Sequence, residues 1–162
     1  MIVIVIIGVV YTLAVTKLQS VGEEVSTPTL ATLKEYLISL NKESTPVRLL
    51  CLDDCHVCNI YRDDAKIQTL ENFLDPTVSR YRYDFLQGTV LVKDEIYFNV
   101  EGRDENVCFS FAIDANSVSD QIIVVYKDKA YDYTSYFQKT EVYDSIEDFV
   151  DEKEKQTQEV MQ

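Results

Sequence analysis

The sequence predicts an α/β domain, a layered sandwich in which helices cover a central mixed sheet. Three observations favour this fold class. Apolar runs rich in β-branched residues alternate along the chain with stretches of helical periodicity. A short apolar strand ends at two aspartates, and a Cys-x-x-Cys motif then opens a helical pattern. A continuous apolar run from Ile122 to Tyr126 is typical of a strand in the centre of a sheet.

The first half of this domain is predicted to contain a helix, a strand and a second helix. A Thr-Pro pair at 27–28 is typical of a helix start, and leucines at helical spacing continue to Asn41. The apolar run 47–52 predicts a strand. From Cys55 onward the apolar positions keep the helical period, and Pro76 ends it.

The second half is predicted to contain strands and two shorter helices. The segment 78–86 alternates loosely, which leaves a strand and a resumed helix both open. A capping box that begins at Ser145 predicts the last helix. The remaining predicted elements are a strand over 96–100, a short helix capped by Asp104 that carries Val107, Cys108, Phe111 and Ala112, and a hairpin formed by 122–126 and 130–134.

The net charge of −13 over 162 residues argues against nucleic acid as a partner, because a strongly acidic chain repels phosphates. No cofactor and no metal is expected. A four-cysteine zinc site that includes Cys51 and Cys108 is possible by count, but a buried thiol is the commoner outcome at both positions.

The N-terminal segment favours secretory targeting. Residues 2–15 are almost wholly apolar, which suits the apolar region of a signal peptide and is short for a membrane span. A buried first strand is the alternative. We therefore predict a signal peptide or signal anchor over 1–19, a linker over 20–28, a domain over 29–152 and a charged tail over 153–162. The expected location is the secretory pathway, either the endoplasmic reticulum lumen or outside the cell, with membrane contact only through an uncleaved N-terminus.

The cysteines of the Cys-x-x-Cys motif are the candidate chemical groups. A cysteine at the start of a helix is favoured as a thiolate by the helix dipole, and a second cysteine one turn later can close a disulfide on it. If the motif is active, Cys55 is the nucleophile, Cys58 resolves the mixed disulfide, and His56 tunes the pair. A static Cys55–Cys58 pair is the alternative.

The segments 46–58, 97–106, 118–129 and 146–149, in this order, resemble the thioredoxin family, including protein disulfide isomerase domains. The resemblance implies a three-layer sandwich with an insertion after the active-site helix. It also places Ser119 and Asp120 beside the cysteine pair, at the position where the family usually carries a cis-proline that contacts substrate.

The resemblance implies a thiol–disulfide oxidoreductase of the secretory pathway, acting on protein partners that bear cysteines. Asp54 stands where the family usually has tryptophan, and Leu49 stands where catalytic members often have an acidic residue. A redox-inactive binding or chaperone-like module of the same fold is therefore the second hypothesis.

Overall fold

The computed structural model describes residues 27–93, 96–98, 104–136 and 138–160. The predicted fold class is wrong. Within these residues the chain is mostly β, with two antiparallel five-stranded sheets instead of one mixed sheet between helical layers. The predicted signal segment 1–19 and most of the linker lie outside the described residues.

The first sheet has the strand order β3-β2-β1-β7-β6. Its centre is β1, which pairs antiparallel with β2 on one side and with β7 on the other. Strand β7 is the longest in the sheet and continues past β1 to pair with β6. The strands are β1 Val47–Leu52, β2 Val57–Arg62, β3 Ala65–Glu71, β6 Ile96–Phe98 and β7 Asp104–Ile113.

The second sheet has the order β10-β9-β8-β4-β5, again antiparallel throughout. The aromatic ring of Phe149 packs edge-to-face on Tyr83 and Tyr143, so the C-terminal helix covers one face of this sheet. The strands are β4 Ser79–Asp84, β5 Gly88–Leu91, β8 Ile123–Tyr126, β9 Lys129–Asp132 and β10 Glu141–Tyr143.

Helices occupy the two ends of the described chain. A 3-10 turn, Leu30–Thr32, leads into α1, Leu33–Leu40, and α2 spans Ile146–Val160. The Ser145 hydroxyl accepts the amide proton of Asp148, which satisfies one of the free donors at the start of α2. Both helices agree with the sequence prediction.

One large apolar cluster joins α1 to the first sheet and to part of the second. Leu33 and Leu37 of α1 pack against the inward residues of β1, β2 and β7. Tyr133 follows β9 and is fully buried; its ring lies 4.5 Å from that of Phe111, and its hydroxyl donates to the Leu30 carbonyl oxygen. This contact ties the second sheet to the start of the helical segment.

The predicted helix over 55–74 is wrong, because the chain reverses where that helix was expected to begin. Asp53 and Cys55 both have positive φ, and they turn β1 back into β2. A second reversal at Asp63 and Asp64, with φ of 48° and 63°, joins β2 to β3. Two consecutive residues with positive φ form the turn that best matches the twist of a two-residue hairpin.

The predicted helix after Asp104 is also wrong. The apolar residues there alternate along β7, and Phe109, Phe111 and Ile113 are all fully buried on one face. A period of two is the signature of a strand, whereas the prediction grouped positions by helical spacing. The predicted strand over 47–52 is confirmed with the same bounds, and the strand predicted over 96–100 is confirmed over its described residues, Ile96–Phe98. The predicted 122–134 hairpin is confirmed with strands Ile123–Tyr126 and Lys129–Asp132.

Candidate functional site

The four cysteines form two disulfides, Cys51–Cys58 and Cys55–Cys108. The expected Cys55–Cys58 pair is therefore wrong. Cys51 and Cys58 lie directly opposite each other on β1 and β2, so the first bridge crosses one pair of strands. The second bridge joins the β1–β2 turn to β7.

The two bridges differ in their exposure. Cys51, Cys55 and Cys58 each have 0 % of their surface exposed, whereas Cys108 is partly exposed. The sulfur of Cys58 lies 3.6 Å from the carbonyl oxygen of Cys55. The Cys51–Cys58 bridge therefore packs against the turn that carries Cys55. No helix starts here, and no helix dipole acts on either sulfur of the motif.

His56 lies in the β1–β2 turn with about half of its side chain exposed. Its Nε2 is 4.0 Å from the Asp54 carboxylate, and its backbone amide donates to the same side chain over 3.2 Å. Its carbonyl oxygen accepts the Asn72 amide proton at 2.7 Å. The residue thus connects the turn to the segment that follows β3.

Ser119 and Asp120 lie at the opposite end of the first sheet. The Asp120 amide donates to the Ala112 carbonyl oxygen over 3.0 Å, and its carboxylate accepts the Ala112 amide proton at 2.8 Å. Ala112 pairs with Arg48 near the start of β1. Three residues of extended chain, about 10 Å, separate Arg48 from Cys51. The structure does not bring the predicted substrate residues beside the cysteines.

A cleft of about 500 Å³ opens at this end of β1. We call it the cleft end, and we call the end with the disulfides the cysteine end. The Arg48 side chain lies across the cleft, 3.8 Å from the Asp64 carboxylate and 5.7 Å from the centre of the Tyr61 ring. The other charged residues of the lining are Asp63, Asp114 and Asp120.

The wall of the cleft is formed by the loop that follows β7. The carboxylate of Asp114 accepts the amide protons of Asn116 and Val118, both at 2.8 Å, and fixes the loop shape. Ser119 is only 4 % exposed, and its hydroxyl oxygen has no hydrogen-bond partner among the described residues. A buried hydroxyl without a partner costs free energy.

The sequence contained a signal for this cleft that the prediction did not use. Asp63 and Asp64 fall within the predicted 55–74 helix, but two aspartates between apolar alternating runs are typical of a tight hairpin turn. That turn sets two carboxylates on the cleft rim. The loop Asp114 to Asp120 could not be placed without knowing that β7 pairs with β1.

In the parts of the chain that the structure describes, no three or more metal-binding side chains converge on one point. The same residues contain no helix with the length and apolarity that crossing a membrane requires. No family model matches the chain, and neither a curated protein nor a solved structure is significantly similar to it.

Proposed function

We propose that this chain is a disulfide-linked binding domain of the secretory pathway, and that it holds a lysine- or arginine-rich segment of a partner protein at the cleft end. The observation that carries the proposal is the cleft itself. It combines an open volume of about 500 Å³ with a carboxylate-rich lining.

Charge selects the class of ligand. The lining holds the carboxylates of Asp63, Asp64, Asp114 and Asp120 but only one guanidinium, that of Arg48. The whole chain carries a net charge of −13, which draws basic partners toward it and repels acidic ones. A primary amine or a guanidinium suits this lining, because both donate several hydrogen bonds to carboxylates.

The cysteine end supports a structural role over an oxidoreductase role. Attack on a substrate disulfide needs a thiolate that solvent and substrate can reach. Cys55 and Cys58 are instead fully buried in separate bridges. Disulfides persist in oxidising compartments, so two of them in one chain agree with the proposed secretory location.

The binding experiment uses the full chain with its disulfides intact and a fluorescein-labelled hexalysine peptide, followed by fluorescence anisotropy. The test variant is Asp63→Asn with Asp64→Asn, because asparagine tolerates positive φ and preserves the turn. The matched control, Glu154→Gln with Glu159→Gln, removes the same charge from the exposed part of α2. A hexaglutamate peptide tests the sign of the charge.

We expect the cleft variant to weaken hexalysine binding about 10-fold or more, which corresponds to about 1.4 kcal/mol. The α2 control should change the affinity less than 2-fold, and hexaglutamate should not bind. Equal losses in both variants would show that only net charge matters, and this would overturn the cleft proposal.

A second assay separates binding from thiol chemistry. Insulin reduction by the full chain is compared with that by a Cys55→Ser variant, in the presence of glutathione. The proposal expects no turnover from either protein. Turnover that the variant loses would instead support the oxidoreductase predicted from the sequence.

A further inference from the structure

Among the residues that the structure describes, the Cys55–Cys108 bridge has exposed surface at Cys108 and none at Cys55. Cys108 is partly exposed and contributes to the lining of a cavity of about 250 Å³ between β7 and the β4–β5 hairpin. Cys55 is fully buried. Neither sulfur of the Cys51–Cys58 bridge has any exposed surface, and neither residue lines this cavity.

The face of β7 that carries Cys108 is turned toward β4. Ser110, two residues along the same face, accepts a hydrogen bond from the Arg80 guanidinium at 2.7 Å through its hydroxyl. Arg80 and Lys93 both line the cavity, so the approach to Cys108 carries two positive charges. This is a locally basic site on a strongly acidic chain.

We propose that Cys108 is a site of thiolation by a small thiol such as glutathione. The attacking thiolate forms a new bond to the Cys108 sulfur, and the Cys55–Cys108 bond breaks. The electron pair of that bond leaves with Cys55, which becomes a thiolate and takes a proton from solvent. The sulfur of the attacking thiol is oxidised to the disulfide level and the Cys55 sulfur is reduced to a thiol, so the small thiol is the only co-reactant that the step needs.

The charges of the cavity assist this step. Only the thiolate form of the attacking thiol reacts, and a nearby cation raises its local concentration. Lys93 is exposed and supplies such a cation without being part of the core. Cys51 and Cys58 have no exposed surface that glutathione could reach among the described residues.

The experiment incubates the disulfide-intact full chain with reduced glutathione, quenches with acid and locates adducts by peptide mass spectrometry. The same reaction is followed for Lys93→Gln and for the matched control Lys155→Gln, an exposed lysine on α2 far along the chain. Reactions at several urea concentrations below the unfolding transition separate attack on the folded state from attack after unfolding.

We expect the first adduct on Cys108, with Cys55 as the free thiol and Cys51–Cys58 intact. The rate should not depend on low urea, and Lys93→Gln should slow it about 3-fold while Lys155→Gln leaves it unchanged. A first adduct on Cys51 or Cys58 would overturn the proposal. So would a rate that rises with urea from the lowest concentration, because it would place the reaction in the unfolded chain.

Discussion

Strand β1 pairs with β2 and β7 at both of its ends, but the two ends differ in burial and in the chemistry of their side chains. At the cysteine end Cys51, Cys55 and Cys58 are fully buried and held by two disulfides. At the cleft end, three residues away, Arg48 faces an open space among carboxylates and beside a buried hydroxyl without a partner. The cysteine end is held by covalent bonds, whereas the cleft end carries charged side chains around an open volume.

The comparison suggests a division of roles, in which the cysteine end stabilises the fold and the cleft end carries the residues proposed to bind a partner. Disulfides and full burial hold a hairpin in one geometry, so the opposite end of the same strands can carry groups that cost stability. Loops presented by a rigid scaffold are the usual position of binding residues. The following predictions test this division of roles, beginning with the largest effect.

The two disulfides should contribute unequally to stability. Cys55→Ala with Cys108→Ala removes a link between residues 53 apart in sequence, whereas Cys51→Ala with Cys58→Ala removes one over 7. The chain-entropy model assigns these links about 4 and about 2 kcal/mol. Urea unfolding of the two double variants measures the difference. Equal losses, or a larger loss for the shorter link, would contradict it.

At the cleft end, Ser119→Ala should stabilise the fold by about 1 kcal/mol, because it removes a buried hydroxyl that lacks a partner. The same change should leave hexalysine binding unchanged, because the Ser119 hydroxyl oxygen has almost no exposed surface for the peptide to contact. The control Ser110→Ala should lose about 1 kcal/mol, since its hydroxyl accepts from Arg80. Urea unfolding and anisotropy on each variant check both expectations. A destabilised Ser119→Ala would show that the hydroxyl is satisfied in the free protein.

A comparison of two hairpin turns with the same geometry separates the effect of turn strain on stability from the effect of a lost carboxylate on hexalysine binding. Asp64 and Asp128 each occupy the second position of a two-residue turn, both with φ of 63°. Replacing either by glycine should stabilise the fold by about 0.5 kcal/mol, because glycine adopts positive φ without strain. Only Asp64→Gly should also weaken hexalysine binding. A binding loss from Asp128→Gly would place the peptide elsewhere.

The smallest effect concerns the response of Asp75 to acid. Hydrogen bonds from the Thr77 hydroxyl and amide, and then from the Tyr126 hydroxyl, lower the pKa of Asp75 below its ordinary value. A carboxyl with a lowered folded-state pKa adds stability above its unfolded pKa and loses it as the pH falls through the folded value. Asp75→Asn should therefore be less stable than the parent near neutral pH, and the gap should close on acidification. Unfolding free energies between pH 7 and pH 2 measure it, and a constant gap would contradict it.

Local signals in the sequence were sufficient for some elements. The capped helix after Ser145 and the hairpin around Lys127 each depend on residues a few positions apart, and both are confirmed. Strand β1 is confirmed for the same reason, since a short apolar run between a proline and two aspartates leaves few alternatives.

The wrong predictions depended on pairings between distant residues. Val57 to Leu74 contains apolar positions that fit both periods, and only the turn at Asp63 and Asp64 decides for a hairpin. The partner of Cys55 lies 53 residues away on a strand predicted to be helical. Four cysteines allow three connectivities, and spacing alone favoured the nearest pair.

The candidate site was predicted only in pieces. Ser119 and Asp120 line the cleft, but the resemblance placed them beside His56, and the sheet places them at the other end of β1. The carboxylates of the rim come from two loops that are adjacent only because β1 lies between β2 and β7. No local pattern encodes that adjacency.

The Cys55–Cys108 bridge also limits the end-to-end length that the chain can reach when its termini are pulled apart. A force applied at the two termini is carried by the Cys55–Cys108 bridge. The residues between these two cysteines bear no tension, because the disulfide provides a shorter covalent path. A single thiol exchange at Cys108 would put the chain from Cys58 to Cys108 under tension, because the Cys51–Cys58 bridge stays closed, and would release up to about 170 Å of contour length. A protein held between two attachments would then lengthen in one step under load.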